Sequence, residues 1–192
     1  MKSSKQGDFD SACGLYAAIN GVHFLDRRTK KNELFLLAIK HLVKKGQSDR
    51  LLVEGMGRTI LNDLLTLFLA NRVDISISRP FWTKSTMDVS FPEIRNVLDE
   101  HLQSDGKRIA ILPYWYCTYY ISEEDNDLSE HWTVLYQRTN KRYKILDSSV
   151  PDSYIAVTNC RKWDDLWAHK AKPYAIHSSS IFLSSQITQK KE

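Results

Sequence analysis

Cys13 stands at the start of an apolar, helix-like segment, in a stretch that runs QGDFDSACGLYAAIN from residue 6 to residue 20. The unpaired N–H groups of a first helical turn favour a thiolate, which is the nucleophilic form of cysteine. A nucleophilic cysteine also needs a base within hydrogen-bonding reach and a third group that orients this base. The alternative is a thiol packed in the core, which is common for an isolated cysteine.

Among the six histidines, His131 is the best candidate for the base. It lies in the segment SEHWTVLYQ, directly after a polar stretch and at the start of a predicted strand. His23 lies in the same predicted helix as Cys13, too far along the axis to reach the thiol. The other histidines are expected on helix surfaces or in the basic C-terminal region: His41, His101, His169 and His177.

Asp147 is the candidate for the orienting carboxylate, because it ends the next strand-like run, RYKILDS. A three-residue hairpin loop centred on Thr139 would place His131 opposite Asp147. Facing Cβ atoms on neighbouring strands are about 5 Å apart. At that distance a carboxylate can accept the imidazole N–H and fix its tautomer. A cysteine, a histidine and an aspartate arranged in this way predict acyl transfer through a thioester.

Hydrophobic periodicity indicates the elements that must position these three residues. Helical spacing predicts helices over 13–25, 32–45, 58–71 and 90–102. Asp10 and Ser11 are candidate caps for the first helix, and a capping box from Ser90 to Glu93 starts the last one. Strand-like runs cover 72–78, 108–114, 131–137, 142–148 and 154–159. Helices followed by strands predict an α+β fold with an antiparallel sheet.

The length of 192 residues predicts a single domain over 1–192. Its helical part is expected over about 1–72 and its sheet over about 73–180, followed by a short polar C-terminal tail. Three cysteines without CxxC spacing argue against a disulfide framework and a structural zinc site. No metal or other cofactor is predicted.

Charge and hydropathy exclude several classes of partner. The net charge is +4, but the basic residues form short scattered groups, which argues against nucleic-acid binding. No apolar run approaches the roughly 20 residues of a membrane span. The first ten residues, MKSSKQGDFD, lack the apolar centre of a signal peptide. The sequence therefore predicts a cytoplasmic protein, with export by a secretion system that reads no such signal left open.

The residues that could do chemistry resemble those of the papain-like cysteine peptidases. The likeness rests on ACGLYAAIN behind a glutamine, on HW opening a strand, and on LDSS closing the next strand. It is nearest to the compact bacterial kind, such as bacteriocin-leader peptidases and papain-like effector proteases. The resemblance covers about residues 6–158 and implies a papain-like fold with Cys13 as nucleophile, His131 as general base and acid, and Asp147 as the orienting residue.

The same resemblance implies further site residues. Gln6 would join the Cys13 backbone N–H in an oxyanion hole, although this chain has one residue more than usual between glutamine and cysteine. Trp115, Trp132 and Gly14 are expected to contact a protein or peptide substrate.

Two other functions remain open from the sequence. A glutamine deamidase or transglutaminase would use the same triad and the same thioester, and would differ only in its cleft. A non-catalytic protein-binding module on a papain-like fold would lack turnover, although all three reactive side chains are present.

Overall fold

A computed structural model describes residues 12–51, 56–72, 74–85, 88–104, 107–117, 128–147, 154–157, 160–162, 174–176 and 178–186. These ranges contain four α-helices and a sheet of eight strands, which confirms the α+β class. None of the described helices is both long and apolar enough to cross a membrane.

The helices lie where the hydrophobic periodicity predicted them, within two residues at each end. They are α1 (Cys13–Leu25), α2 (Lys31–Lys44), α3 (Arg58–Leu69) and α4 (Phe91–Gln103). The predicted cap of α4 is present, since the Ser90 hydroxyl accepts from the Glu93 backbone N–H at 3.3 Å. The Glu93 carboxylate accepts from Lys84 Nζ at 2.8 Å.

The sheet is built around two long central strands. The strands are β1 (Ile75–Ser78), β2 (Arg108–Cys117), β3 (Leu128–Arg138), β4 (Arg142–Leu146), β5 (Tyr154–Ala156), β6 (Cys160–Lys162), β7 (Tyr174–Ile176) and β8 (Phe182–Gln186). Their order is β1-β8-β2-β3-β4-β5, and these neighbours are antiparallel. The strand β7 pairs with β2 beyond the end of β8 and carries β6 in parallel on its other side.

The sheet extends past the boundary expected near residue 180. The strand β8 lies between β1 and β2, so residues 182–186 are part of the sheet and the prediction of a polar tail there was wrong. The sequence of β8, FLSSQ, does not indicate a strand because two serines interrupt its apolar pattern. Ser184 is buried nonetheless, because its hydroxyl donates to the Ser76 carbonyl at 2.6 Å.

Side chains alternate along the central strands and divide the core into two clusters. Ile109, Ile111 and Val134 join the cluster around α1 and α3. The alternate positions Ala110 and Leu112 join the cluster around α4. This alternation is the period-two pattern of a sheet that is covered on both faces.

The helix α1 is packed directly onto the sheet, and this packing sets the position of its first residue. Ten of its residues are buried. Gly21 permits the close approach, since a Cβ at this position would lie 2.7 Å from Ile109 Cδ1. At the far end of α1, the carboxylate of Asp26 accepts from the backbone and guanidinium of Arg28 and from Arg72, which follows α3.

Candidate active site

Cys13 is the first residue of α1 and is 8% exposed. The residue before it, Ala12, supplies the first helical carbonyl, which accepts from the Tyr16 N–H at 3.0 Å. Ala12 has no side-chain cap to offer the first turn. The predicted caps Asp10 and Ser11 lie outside the described residues. The thiol therefore stands at the positive end of a buried helix, where a negative charge is stabilised.

His131 lies in β3, three residues after the strand begins and directly opposite Tyr114 of β2. The residue is only 6% exposed. Its Nε2 lies 2.9 Å from Asp147 Oδ1, in a buried hydrogen bond. Asp147 follows the last residue of β4 and is 3% exposed. The structure thus brings the predicted base and the predicted carboxylate into contact.

The hairpin that joins them has a different register from the predicted one. The ends of the loop are held by backbone bonds between Thr139 and Arg142, so the loop residues are Asn140 and Lys141. A β-bulge at Tyr136 then shifts the pairing before Val134 meets Leu146. The predicted loop centred on Thr139, with His131 directly opposite Asp147, was wrong.

His131 and Asp147 still meet because the observed register differs from the predicted one by an even number of residues, two. Continued pairing from Val134 and Leu146 would place Asp147 opposite Thr133, which shares a face of the strand with His131. Diagonal neighbours on one face lie about 7–8 Å apart, within reach of two polar side chains. A slip of one residue would have turned Asp147 to the other face of the sheet.

The surroundings of His131 raise the pKa of its ring from 6.5 to about 9. Burial acts against this, because the imidazolium loses hydration. The hydrogen bonds from the ring to Asp147 and Cys13, together with the charges of these two partners, outweigh the effect of burial. The ring is therefore protonated at neutral pH.

The Cys13 side chain lies near enough to the His131 ring to help raise the pKa of that ring, through a hydrogen bond and through its charge. Since Asp147 occupies Nε2, the nitrogen left for the sulfur is Nδ1. Cys13 belongs to the core cluster around α1, whereas Tyr114 belongs to the cluster around α4. The site therefore forms where the two halves of the core meet.

Trp132 and Gly14 pack in the core beside Met56. The indole of Trp132 is 2% exposed and donates to the Met56 carbonyl at 2.9 Å. Gly14 is also buried and packs against Met56 and Trp132. The expectation that Trp132 and Gly14 contact substrate stays a prediction, and the neighbours that the structure gives them are core residues. Gln6 and the side chain of Trp115 lie outside the described residues.

Gly14→Ala tests this packing. The added Cβ would lie 3.0 Å from Met56 Cβ and 3.4 Å from Trp132 Cδ1. Overpacking of this kind costs about 1–3 kcal/mol, and the better helix propensity of alanine returns up to about 1 kcal/mol. We expect urea denaturation to show a net loss of about 1–2 kcal/mol. The comparison is Gly57→Ala, where no atom beyond the two chain neighbours lies within 4 Å of the added Cβ and the only expected cost is that of a poorer cap for α3. Equal effects of the two substitutions would contradict the packing role.

Two residues near the sheet were not foreseen as partners of the site, Tyr114 and Met56. The Tyr114 hydroxyl donates to Asp147 Oδ2 at 3.2 Å. The available signal was the position of Tyr114 in the strand-like run RIAILPY, but that pattern does not say which residue of β3 it faces. Met56 precedes α3 and carries no sequence signal for its contact with the indole.

Cys160, His23 and His101 have structural surroundings. The thiol of Cys160 is fully buried and donates to the Ala156 carbonyl at 3.6 Å. His23 Nδ1 lies 2.8 Å from the Thr29 carbonyl oxygen, away from Cys13. His101, expected on a helix surface, instead packs against the sheet with Nε2 at 3.0 Å from the Ile109 carbonyl. Among the described residues, no group of three or more His, Cys, Asp or Glu side chains could hold a metal ion.

No protein-family model matches this chain, and no curated protein matches it. The arrangement of Cys13, His131 and Asp147 is therefore the feature that bears on function.

Proposed function

We propose that this chain is a papain-like cysteine peptidase that cleaves peptide or isopeptide bonds. The observation that carries the proposal is the buried hydrogen bond between His131 and Asp147, with Cys13 in reach of the same ring at the start of a helix. A buried histidine held by a carboxylate is a general base of fixed orientation. A thiol beside such a ring is the arrangement that nucleophilic catalysis requires.

The proposed reaction begins with the thiol proton on His131. The Cys13 sulfur attacks the substrate carbonyl carbon, and the carbonyl electron pair moves to oxygen. When this intermediate collapses, the C–N bond breaks and the leaving amine takes the proton from His131. Water then attacks the thioester, and His131 accepts its proton. The C–S bond breaks, which releases the acid and returns the thiolate to its imidazolium partner.

Asp147 has a constant role in this cycle. It accepts the hydrogen bond from His131 Nε2, so that Nδ1 faces the sulfur and the leaving group in turn. The proposal also retains Gln6, with the Cys13 backbone N–H, as the donor to the oxyanion.

Selective alkylation tests whether Cys13 is the nucleophile. At pH near 6, iodoacetamide is expected to label Cys13 on the order of 100-fold faster than Cys117 or Cys160, because an ordinary thiol is almost fully protonated there. Peptide mass mapping after brief exposure gives the three rates. In guanidinium the three rates should become equal, and His131→Ala should remove the preference in the folded protein. Equal labelling in the native state would contradict the proposal.

A proteome-derived peptide library then separates the proposed reaction from the alternatives. New peptide termini that depend on Cys13 support a peptidase. Conversion of glutamine to glutamate, or glutamine-linked adducts, without new termini would instead identify a deamidase or transglutaminase. Fast labelling of Cys13 without either change would favour a binding module.

A further inference from the structure

The side chain of Tyr114 lies against both members of the His131–Asp147 pair. Tyr114 and His131 are direct neighbours across β2 and β3. Their ring centroids are 5.7 Å apart, and the rings meet edge to face at 76°. Tyr114 is 3% exposed, so its hydroxyl is shielded from solvent. Since a buried hydroxyl is costly unless it is hydrogen-bonded, its partner is significant.

That partner is the second oxygen of Asp147. The Tyr114 hydroxyl donates to Oδ2 at 3.2 Å, while His131 Nε2 lies 2.9 Å from Oδ1. A carboxylate held through one oxygen can still turn about its terminal torsion, which has a broad energy well. Donors at both oxygens restrict that rotation and keep Oδ1 directed at the imidazole.

We propose that Tyr114 is a positioning residue of this site, which holds the Asp147 carboxylate in the orientation that aligns His131 with Cys13. The inference rests on the proposed function for its catalytic meaning. Tyr114 acts through Asp147, and no contact with substrate is required. Among the described residues, Cys13 from α1 and Asp147 after β4 are the groups that raise the pKa of the His131 ring.

Tyr143 in β4, the strand that pairs with the other edge of β3, provides a control. Tyr143 is 2% exposed, and its hydroxyl donates to Asp99 Oδ1 at 2.5 Å. That carboxylate binds Arg138 rather than a histidine. Tyr143→Phe and Tyr114→Phe each remove a tyrosine hydroxyl that donates to a carboxylate, in a partly buried bond for Tyr143 and a buried one for Tyr114, and only Tyr114→Phe touches the site.

The test is the exchange with water of the proton on His131 Nε2, observed by proton NMR with ¹⁵N-labelled histidine and assigned with His131→Gln. We expect Tyr114→Phe to speed this exchange by about five- to tenfold, the effect of losing one hydrogen bond. Tyr143→Phe should leave the exchange rate within about twofold of the wild-type rate, while lowering the free energy of unfolding about as much as Tyr114→Phe does. An unchanged rate in folded Tyr114→Phe, or equal acceleration in both variants, would overturn the proposal.

A second variant keeps the proposal testable if Tyr114→Phe fails to fold. Fluorotyrosine introduced at position 114 is nearly isosteric and is a stronger donor, so it should slow the exchange below the wild-type rate. An unchanged or faster rate would count against the positioning role. Both measurements need no substrate and no thiol reaction. They therefore report on Tyr114 even if Cys13 fails the alkylation test, and the two proposals can fail separately.

Discussion

Replacing His131 with alanine is expected to lower kcat by on the order of 10⁴-fold or more, nearly as much as Cys13→Ala. In the proposed mechanism the two residues act as one unit, because the ring both takes the thiol proton and returns it to the leaving amine. Loss of either member leaves only the binding of substrate and the oxyanion donors. The measurement is steady-state cleavage of a peptide identified from the library, with folding of each variant checked by circular dichroism.

Asp147→Ala should leave more residual activity than His131→Ala, because in the proposed mechanism Asp147 orients the ring and transfers no proton. We expect a loss of roughly 10²- to 10⁴-fold in kcat. The control is His101→Ala, which removes a partly buried histidine that hydrogen-bonds to the Ile109 carbonyl outside the site and should keep most of the activity. If His131→Ala retained half of the wild-type rate, another base would have to serve Cys13.

The second large effect concerns stability and pH. The folded-state pKa of His131 is raised from 6.5 to about 9. Because one pKa unit corresponds to about 1.4 kcal/mol, this shift stabilises the fold by about 3 kcal/mol at low pH. Between pH 6.5 and 9 the folded ring keeps a proton that the unfolded chain has lost. The contribution is therefore complete below pH 6.5, declines as pH rises, and is absent above about 9.

Urea denaturation of wild type and His131→Gln at several pH values measures this term directly. The difference in the free energy of unfolding should shrink by about 3 kcal/mol from pH 6 to pH 9.5. His101→Gln is the control, since burial lowers the pKa of His101. Its proton is lost below the ordinary histidine range, so its linkage acts below pH 6.5 and leaves the slope above that pH unchanged. A constant difference for His131→Gln across the range would contradict the raised pKa.

Local patterns in the sequence were sufficient for the helices and for the identity of the two contacting residues His131 and Asp147. Apolar spacing within one turn indicates where a helix begins, and α1 begins at Cys13 as predicted. Asp147 lies on the same face of the sheet as His131 because side chains alternate between the two faces along a strand. A register change of two residues keeps each side chain on its face, so the prediction of this face did not need the correct register.

The pairing across strands depended on contacts that no local pattern records. The Tyr136 bulge and the Asn140–Lys141 loop give the hairpin a different register from the predicted one. Backbone hydrogen bonds between Thr139 and Arg142 close a two-residue loop, whereas the prediction assumed a three-residue loop centred on Thr139. The strand β8 formed from a serine-containing segment because neighbouring strands supplied partners for its backbone and for Ser184. Long-range packing also placed Trp132 in the core and Tyr114 against Asp147, since both contacts join segments far apart in the chain.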